Sequence, residues 1–245
     1  MPRTTRQPSE SGCYHIMLRG IGRQLLFEDT NERRMFLDIA KHYCDDHSVT
    51  ILAWCLMGNH AHLLLRDPDG VPSDTMKLIE QSFAQRHNRA AGHVGHVFEN
   101  RFKCKPIETD EQLLACVRYI HNNPQKAGFC AASDYPWSSY CEYVGAPQIT
   151  DTQFVLGILG GVDEFEDFSA CEDDAYAEPE DRTRITDEEA RERMKDVLSD
   201  IEIEALSHGT RATRDESLRK LKQADLSVRQ IERLTGIGRS IVHHA

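Results

Sequence analysis

The chain has 245 residues, 40% hydrophobic and 28% charged, with a formal net charge of −11. That length supports one good core with a smaller appendage. No apolar run approaches a membrane span, and the N-terminal Met1-Pro-Arg-Thr-Thr-Arg-Gln-Pro8 lacks the apolar region of a leader, so a cytoplasmic protein is expected.

In chain order, residues 1–12 are expected to be disordered, and 13–20 alternate as a strand. Thr30 can cap a helix whose apolar positions are Met35, Phe36, Ile39, Ala40 and Tyr43. Val49 to Met57 reads as an apolar strand, Gly58-Asn59 as a turn, and His60 to Arg66 as the paired strand. Ser73 opens a helix running through Met76, Ile79 and Phe83 to about Ala91. Val97 to Ile107 reads as a loop and strand. Thr109 then caps a helix over Asp110–Asn123, which Pro124 ends. Strand-helix-strand-strand-helix-strand predicts an α+β domain over 13–150, an antiparallel sheet with helices on one face.

The negative charge is concentrated. Residues 1–150 hold 16 Lys/Arg against 17 Asp/Glu, residues 151–181 hold none against 11, and residues 182–245 hold 13 against 12. The excess is therefore confined to one segment and says nothing against nucleic acid. Residues 151–181 are expected to be an acidic linker, after a short helix over 152–160 that packs back on the first domain. The alternative is that the acidic segment mimics DNA charge and covers the active groove. Residues 182–245 are expected to be helical, opened by the capping box Thr186-Asp-Glu-Glu189. A helix-turn-helix at about 213–245 would project Arg239, Ser240 and His243 toward a major groove. A plain three-helix packing or dimerisation unit is the alternative. The eight cysteines (13, 44, 55, 104, 116, 130, 141 and 171) contain no C-x-x-C pair. Several lie in apolar runs and read as buried reduced thiols.

Two motifs carry chemistry. His60-Ala61-His62 puts two imidazoles on one face of a strand, where they can share a cation or be ordinary half-buried histidines. In Cys116-Val-Arg-Tyr119-Ile-His-Asn-Asn123-Pro124, Tyr119 and Asn123 are four apart and share a helix face. A phenol and an amide so placed suit a nucleophile beside a third metal ligand, or a boundary tyrosine and an Asn cap.

Together these elements resemble the single-tyrosine HUH transposases. Tyr14-His-Ile-Met-Leu-Arg-Gly20, Gly95-His-Val-Phe-Glu-Asn-Arg-Phe-Lys103, Arg118-Tyr-Ile-His-Asn-Asn-Pro124 and Tyr135-Pro-Trp-Ser-Ser-Tyr140, in that order, are similar to the REP-associated tyrosine transposase branch. The resemblance covers about residues 13–145. Gly58 departs from it, since the family usually has Pro before Asn-His. The resemblance implies a ferredoxin-like HUH endonuclease fold and DNA cleavage and rejoining at palindromic repeats. Tyr119 would be the nucleophile, forming a 5′-phosphotyrosine, with Mg²⁺ or Mn²⁺ held by His60, His62 and Asn123. The expected partner is single-stranded or hairpin DNA. A homodimer or sequential cleavage would overcome the limit of one covalent link per tyrosine.

For DNA contacts, Arg101, Lys103 and Lys105 share a face if 101–105 is extended, and Arg86 and Arg89 could prolong that patch. Arg19 and Arg23 flank the Gly-Ile-Gly turn after the first strand. A metal phosphodiesterase using water and a non-cleaving repeat-binding regulator are the competing readings.

Overall fold

In the computed structural model, the described residues are 8–70, 72–92, 94–171, 176–179, 187–199, 203, 206, 210–224, 226 and 228–244. They form two compact units, residues 1–180 and 181–245. Thr186, the expected capping-box residue, lies outside the described residues.

The first unit is built on four antiparallel strands: β1 Cys13–Arg19, β2 Thr50–Met57, β3 His60–Arg66 and β4 Lys103–Ile107. Their order is β2-β3-β1-β4, the ferredoxin-like arrangement. Between them run α1 Thr30–Asp46 and α2 Ser73–Ala91. After β4 come α3 Asp110–His121, α4 Asn123–Lys126, α5 Tyr140–Val144, α6 Thr152–Leu159 and α7 Val162–Ala170.

Helices cover both faces of the sheet, not one as expected. Ile16, Leu18, Trp54, Leu63 and Leu65 pack with Phe36, Ile39, Met76 and Phe83 of α1 and α2. Cys13, Cys55, Met57 and Leu64 pack with Leu113, Cys116, Val117 and Ile120 of α3 on the other side. The physical reason is visible in Thr50-Ile-Leu-Ala-Trp-Cys-Leu-Met57. A strand wet on one face alternates, whereas one buried on both is apolar at consecutive positions.

Side chains cap the starts of α1, α3 and α6. Asp29, rather than Thr30, caps α1, its Oδ1 accepting from the Glu32 amide at 2.9 Å. Thr109 caps α3 as expected, accepting from Gln112 at 3.3 Å, while the Gln112 side chain accepts from the Glu108 amide at 2.9 Å. That exchange satisfies donors at both ends of the first turn. The helix expected to reach Asn123 stops at His121, and Asn123 begins α4 with Pro124 near its start. Proline has no amide to continue the α3 ladder, yet its fixed φ suits a helix start.

The first unit extends at both ends. Ser9 and Ser11 donate to the Ile107 carbonyl, Ser9 at 2.7 Å, so residues 9–12 of the expected disordered segment are tied to β4. Tyr135-Pro-Trp-Ser-Ser-Tyr140 closes the β2 edge: Leu56 donates to the Trp137 carbonyl at 2.8 Å, and Ser139 to the Trp54 carbonyl at 2.9 Å. An open edge is thereby covered. The helix expected over 152–160 is α6. Beyond it the linker expectation fails, because α7 buries Phe165 completely, stacked on Tyr143 with centroids 4.5 Å apart.

The second unit is helical. Its described helices include Asp187–Val197, Arg211–Gln223, Val228–Thr235 and Arg239–His244, around a core containing Met194, Leu218, Leu221, Ile231 and Val242. Gly236, at φ +73°, makes the turn before the last helix.

Candidate active site

Strand register assembles the site. Antiparallel partners share a face, so Arg19 lies opposite His60, and Met17 lies between His62 on β3 and Lys103 on β4. His15 lies opposite Lys105 by the same rule. This is the face that α3 covers. Tyr119, near the end of α3, is 8% exposed, and Asn123, the first residue of α4, is 9% exposed.

The imidazoles are oriented by their far nitrogens. Asn59 Nδ2 donates to the Arg23 carbonyl at 3.3 Å, which turns Oδ1 toward His60 Nδ1 at 2.6 Å. His60 Nδ1–H therefore donates to Asn59, leaving the Nε2 lone pair 3.5 Å from Asn123 Oδ1. Two acceptors facing each other call for a cation or a proton between them. His62 Nε2 is buried without a hydrogen-bond partner, and the two histidine rings lie 5.1 Å apart. The Tyr119 ring is 5.7 Å from that of His62. Two neutral nitrogens and one amide oxygen fit a six-coordinate cation that keeps sites for phosphate and water. Among the described residues, no group of three or more His, Cys, Asp or Glu side chains is arranged around a metal position.

Burial lowers the pKa of both His60 and His62. His62 falls furthest, with His15, His60, Arg19 and Lys103 adding to the effect of burial. Both imidazoles are consequently neutral near pH 7, the state that ligates. Tyr119 is pushed well above the usual phenol range, first by burial and then by the Glu178 carboxylate that accepts its hydrogen bond.

Glu178 belongs to a short strap over this face, residues 176–179. The Tyr176 hydroxyl is 3.0 Å from His15 Nδ1, and its ring centroid is 5.3 Å from that of Tyr119. Lys105 Nζ donates to the Ala177 carbonyl at 2.9 Å and lies 4.3 Å from the Tyr176 ring centroid.

The structure thus brings His60, His62, Tyr119 and Asn123 together, with Arg19, Lys103 and Lys105 on the same sheet face. It does not add the others. Arg101 lies before β4 begins, so the strand pleat aligns only Lys103 with Lys105. Arg86 is on α2, against the opposite face. Arg23 is exposed at φ +62°, its carbonyl held by Asn59. Arg239 and Ser240 are exposed in the second unit, and Arg239 Nε donates to the Glu232 carboxylate. The side chain of His243 lies outside the described residues.

Sequence reasoning missed His15, Asn59, Lys126, Tyr176 and Glu178 as site residues. Lys126 Nζ lies 5.2 Å from the Tyr119 ring centroid. Strand alternation from Arg19 back to His15 was an available signal. None existed for the strap, whose acidic composition reads as solvated chain.

The family model Transposase IS200 like matches residues 9–123. A putative REP-associated tyrosine transposase of Haemophilus influenzae is 24% identical, the match covering 57% of this chain and 86% of that protein. Among solved structures, a REP-associated tyrosine transposase bound to a REP hairpin matches with a TM-score of 0.55 and 19% identity. That match covers 75% of this chain and 99% of the other. A putative transposase from Deinococcus radiodurans matches at a TM-score of 0.35 and 16% identity, covering 54% and 98%. No helix among the described residues is long and apolar enough to cross a membrane.

Proposed function

We propose that this chain, whose residues 9–123 match the IS200-like transposase family, is a DNA transposase that cleaves and rejoins single strands at palindromic repeats. One observation carries the reading: His60 Nε2 faces Asn123 Oδ1 at 3.5 Å, the ring of His62 with its unpartnered Nε2 is 5.1 Å from that of His60, and the Tyr119 ring is 5.7 Å from that of His62. A hydrolase has no use for a phenol at that place, and a binding module has no use for the ligands.

The roles follow from the atoms. His60, His62 and Asn123 would hold Mg²⁺ or Mn²⁺, which supplies neutralisation of the charge developing on the scissile phosphate. Tyr119 Oη forms the new bond to phosphorus and gives up its proton. The bond from phosphorus to the 3′-oxygen of the upstream nucleotide breaks, and that oxygen leaves as a hydroxyl. The resulting 5′-phosphotyrosine keeps the energy of the phosphodiester, so a second 3′-hydroxyl can reverse the step and join a strand. Arg19, Lys103 and Lys105 lie where they would follow the DNA backbone. The relative solved with a REP hairpin supports hairpin DNA as partner, and Arg239 and Ser240 of the second unit would meet a major groove, as helix-turn-helix residues do. A homodimer supplies two tyrosines for two cuts, and a monomer cuts in sequence.

The strap favours the covering role for the acidic segment. Glu178 engages the proton of Tyr119 and places a carboxylate where phosphate must approach, while Ala177 and Tyr176 occupy Lys105. DNA and the strap would compete for one face.

Hairpin oligonucleotides from palindromic repeats, incubated with full-length protein and Mg²⁺ or Mn²⁺, test the reaction. One fragment should carry a free 3′-hydroxyl and the other a 5′ end linked to protein. A free 5′-phosphate instead would mean that water attacks, and binding without cleavage would mean a repeat-binding regulator.

A further inference from the structure

His15 is the histidine of the site with no place in the His60-Ala61-His62 motif, and it is 0% exposed. Standing on β1 beside β3, it puts Nε2 2.9 Å from His62 Nδ1 and Nδ1 3.0 Å from the Tyr176 hydroxyl. Two nitrogens at 2.9 Å share one proton, and the sharing has two forms. If His15 Nε2 carries it, His62 Nδ1 is the acceptor and His62 Nε2 bears a hydrogen aimed at no partner. If His62 Nδ1 carries it, His62 Nε2 is a bare lone pair. Both rings are 0% exposed, and burial favours the neutral imidazole, so each ring has one N–H to place.

The far nitrogen of His62 selects the second form: it is buried with no hydrogen-bond partner, where an N–H would forfeit its bond and a lone pair stays open to a cation. His62 Nδ1–H then donates to His15 Nε2, and His15 Nδ1–H to the Tyr176 hydroxyl. The far nitrogen of His62, buried and unpartnered, is left as a lone pair, with the His60 ring centroid 5.1 Å from that of His62. His60 reaches the same tautomer through the Asn59 amide at 2.6 Å. The two imidazoles thus carry separate acceptors on their far sides, a half-buried amide for one and a buried histidine for the other.

We propose that His15 is a positioning residue for the cation site: by accepting the Nδ1 proton of His62 it fixes that ring's tautomer and turns its Nε2 lone pair toward the space between His60 and Asn123. The proposal rests on reading those three side chains as cation ligands. Outer-shell partners of ligating histidines typically set affinity by 10–100-fold. Replacing His15 by leucine removes the acceptor, whereas glutamine can place an amide oxygen near the position of Nε2.

The test uses the full chain and Mn²⁺ alone, with binding read by calorimetry and by the electron paramagnetic resonance of the free ion. His62→Ala should abolish binding at the site. His15→Leu should weaken it by about 10–100-fold, and His15→Gln should restore it to within a few-fold of the unmodified protein. Unchanged binding in His62→Ala overturns the ligand reading and the proposal with it. Loss in His62→Ala with full affinity in His15→Leu overturns the positioning role alone. Nitrogen-15 NMR of the metal-free, unmodified protein reads the tautomer directly and needs no variant to fold. A proton on His62 Nδ1 is expected, and a proton on Nε2 overturns the proposal.

Discussion

Tyr119 gives its phenolic hydrogen bond to the carboxylate of Glu178, 59 residues further along the chain. The contact joins the proposed nucleophile to the most acidic stretch of the sequence, and it raises the phenol's pKa further above that of a free tyrosine. An attacking phenol must lose its proton and meet phosphorus, and in this arrangement both the proton and the approach are taken.

Glu178→Gln removes the charge while keeping an acceptor of similar size. Adduct formation with hairpin DNA is expected to rise by about tenfold or more, because a hydrogen bond to a charged group is worth about 1.5–3 kcal/mol. A single-turnover rate measurement checks it. A fall would identify Glu178 as the acceptor of the tyrosine proton during attack. The point variant is preferable to removing residues 162–181, because that deletion would also extract Phe165 from the core.

Glu142 holds the edge motif together. Its buried carboxylate accepts from Trp54 Nε1 at 2.9 Å and from the amides of Gln148, Ile149 and Thr150 at 2.6, 2.9 and 3.0 Å. Glu142→Ala leaves these donors unsatisfied and is expected to cost about 3–5 kcal/mol, with Glu142→Gln costing less. Both tryptophans, Trp54 and Trp137, are in the first unit. Their fluorescence in a urea titration therefore reports its stability, and an unchanged midpoint in Glu142→Ala would refute the assignment.

His121, whose ring packs beside Tyr140, Tyr143 and Phe165, provides a pH test of the fold. Burial pushes its imidazole down to about 3, from an ordinary value of 6.5, and its Nε2 lies 2.8 Å from Ser139 Oγ. A lowered imidazole pKa means the unfolded chain binds the proton first. The contribution is complete above about pH 6.5 and is lost as pH falls toward about 3. His121→Gln keeps a partner for Ser139 and does not titrate. Its urea midpoint should fall less between pH 7 and pH 4 than that of the unmodified chain, and an equal fall would contradict the assignment.

Much of the fold was legible because its elements are periodic. The starts of β1, β3, α2 and α3 coincide with the alternation and helical spacing of their residues. The His pair and the Tyr119/Asn123 spacing were legible for the same reason, since each lies within one element or at its edge. What was not legible depends on packing between distant segments. Consecutive apolar residues in β2 signal cover on both faces but do not name the second cover. The second cover is α3 with α6, and α7 packs against both, its acidic residues concealing the one ring, Phe165, that enters the core. His15 meets His62 only because β1 lies beside β3, an adjacency that sheet order decides. The strap was hidden most completely, because Glu178 looks like any solvated glutamate until its partner is known.

The central claim is that Tyr119 is the atom-bearing nucleophile. Reaction with hairpin DNA and Mn²⁺, followed by nuclease and protease digestion, allows the modified peptide to be identified by mass spectrometry. The account predicts a nucleotide remnant on Tyr119, absent from Tyr119→Phe, which should still bind Mn²⁺. A remnant on another residue, or cleavage that survives Tyr119→Phe, would contradict it.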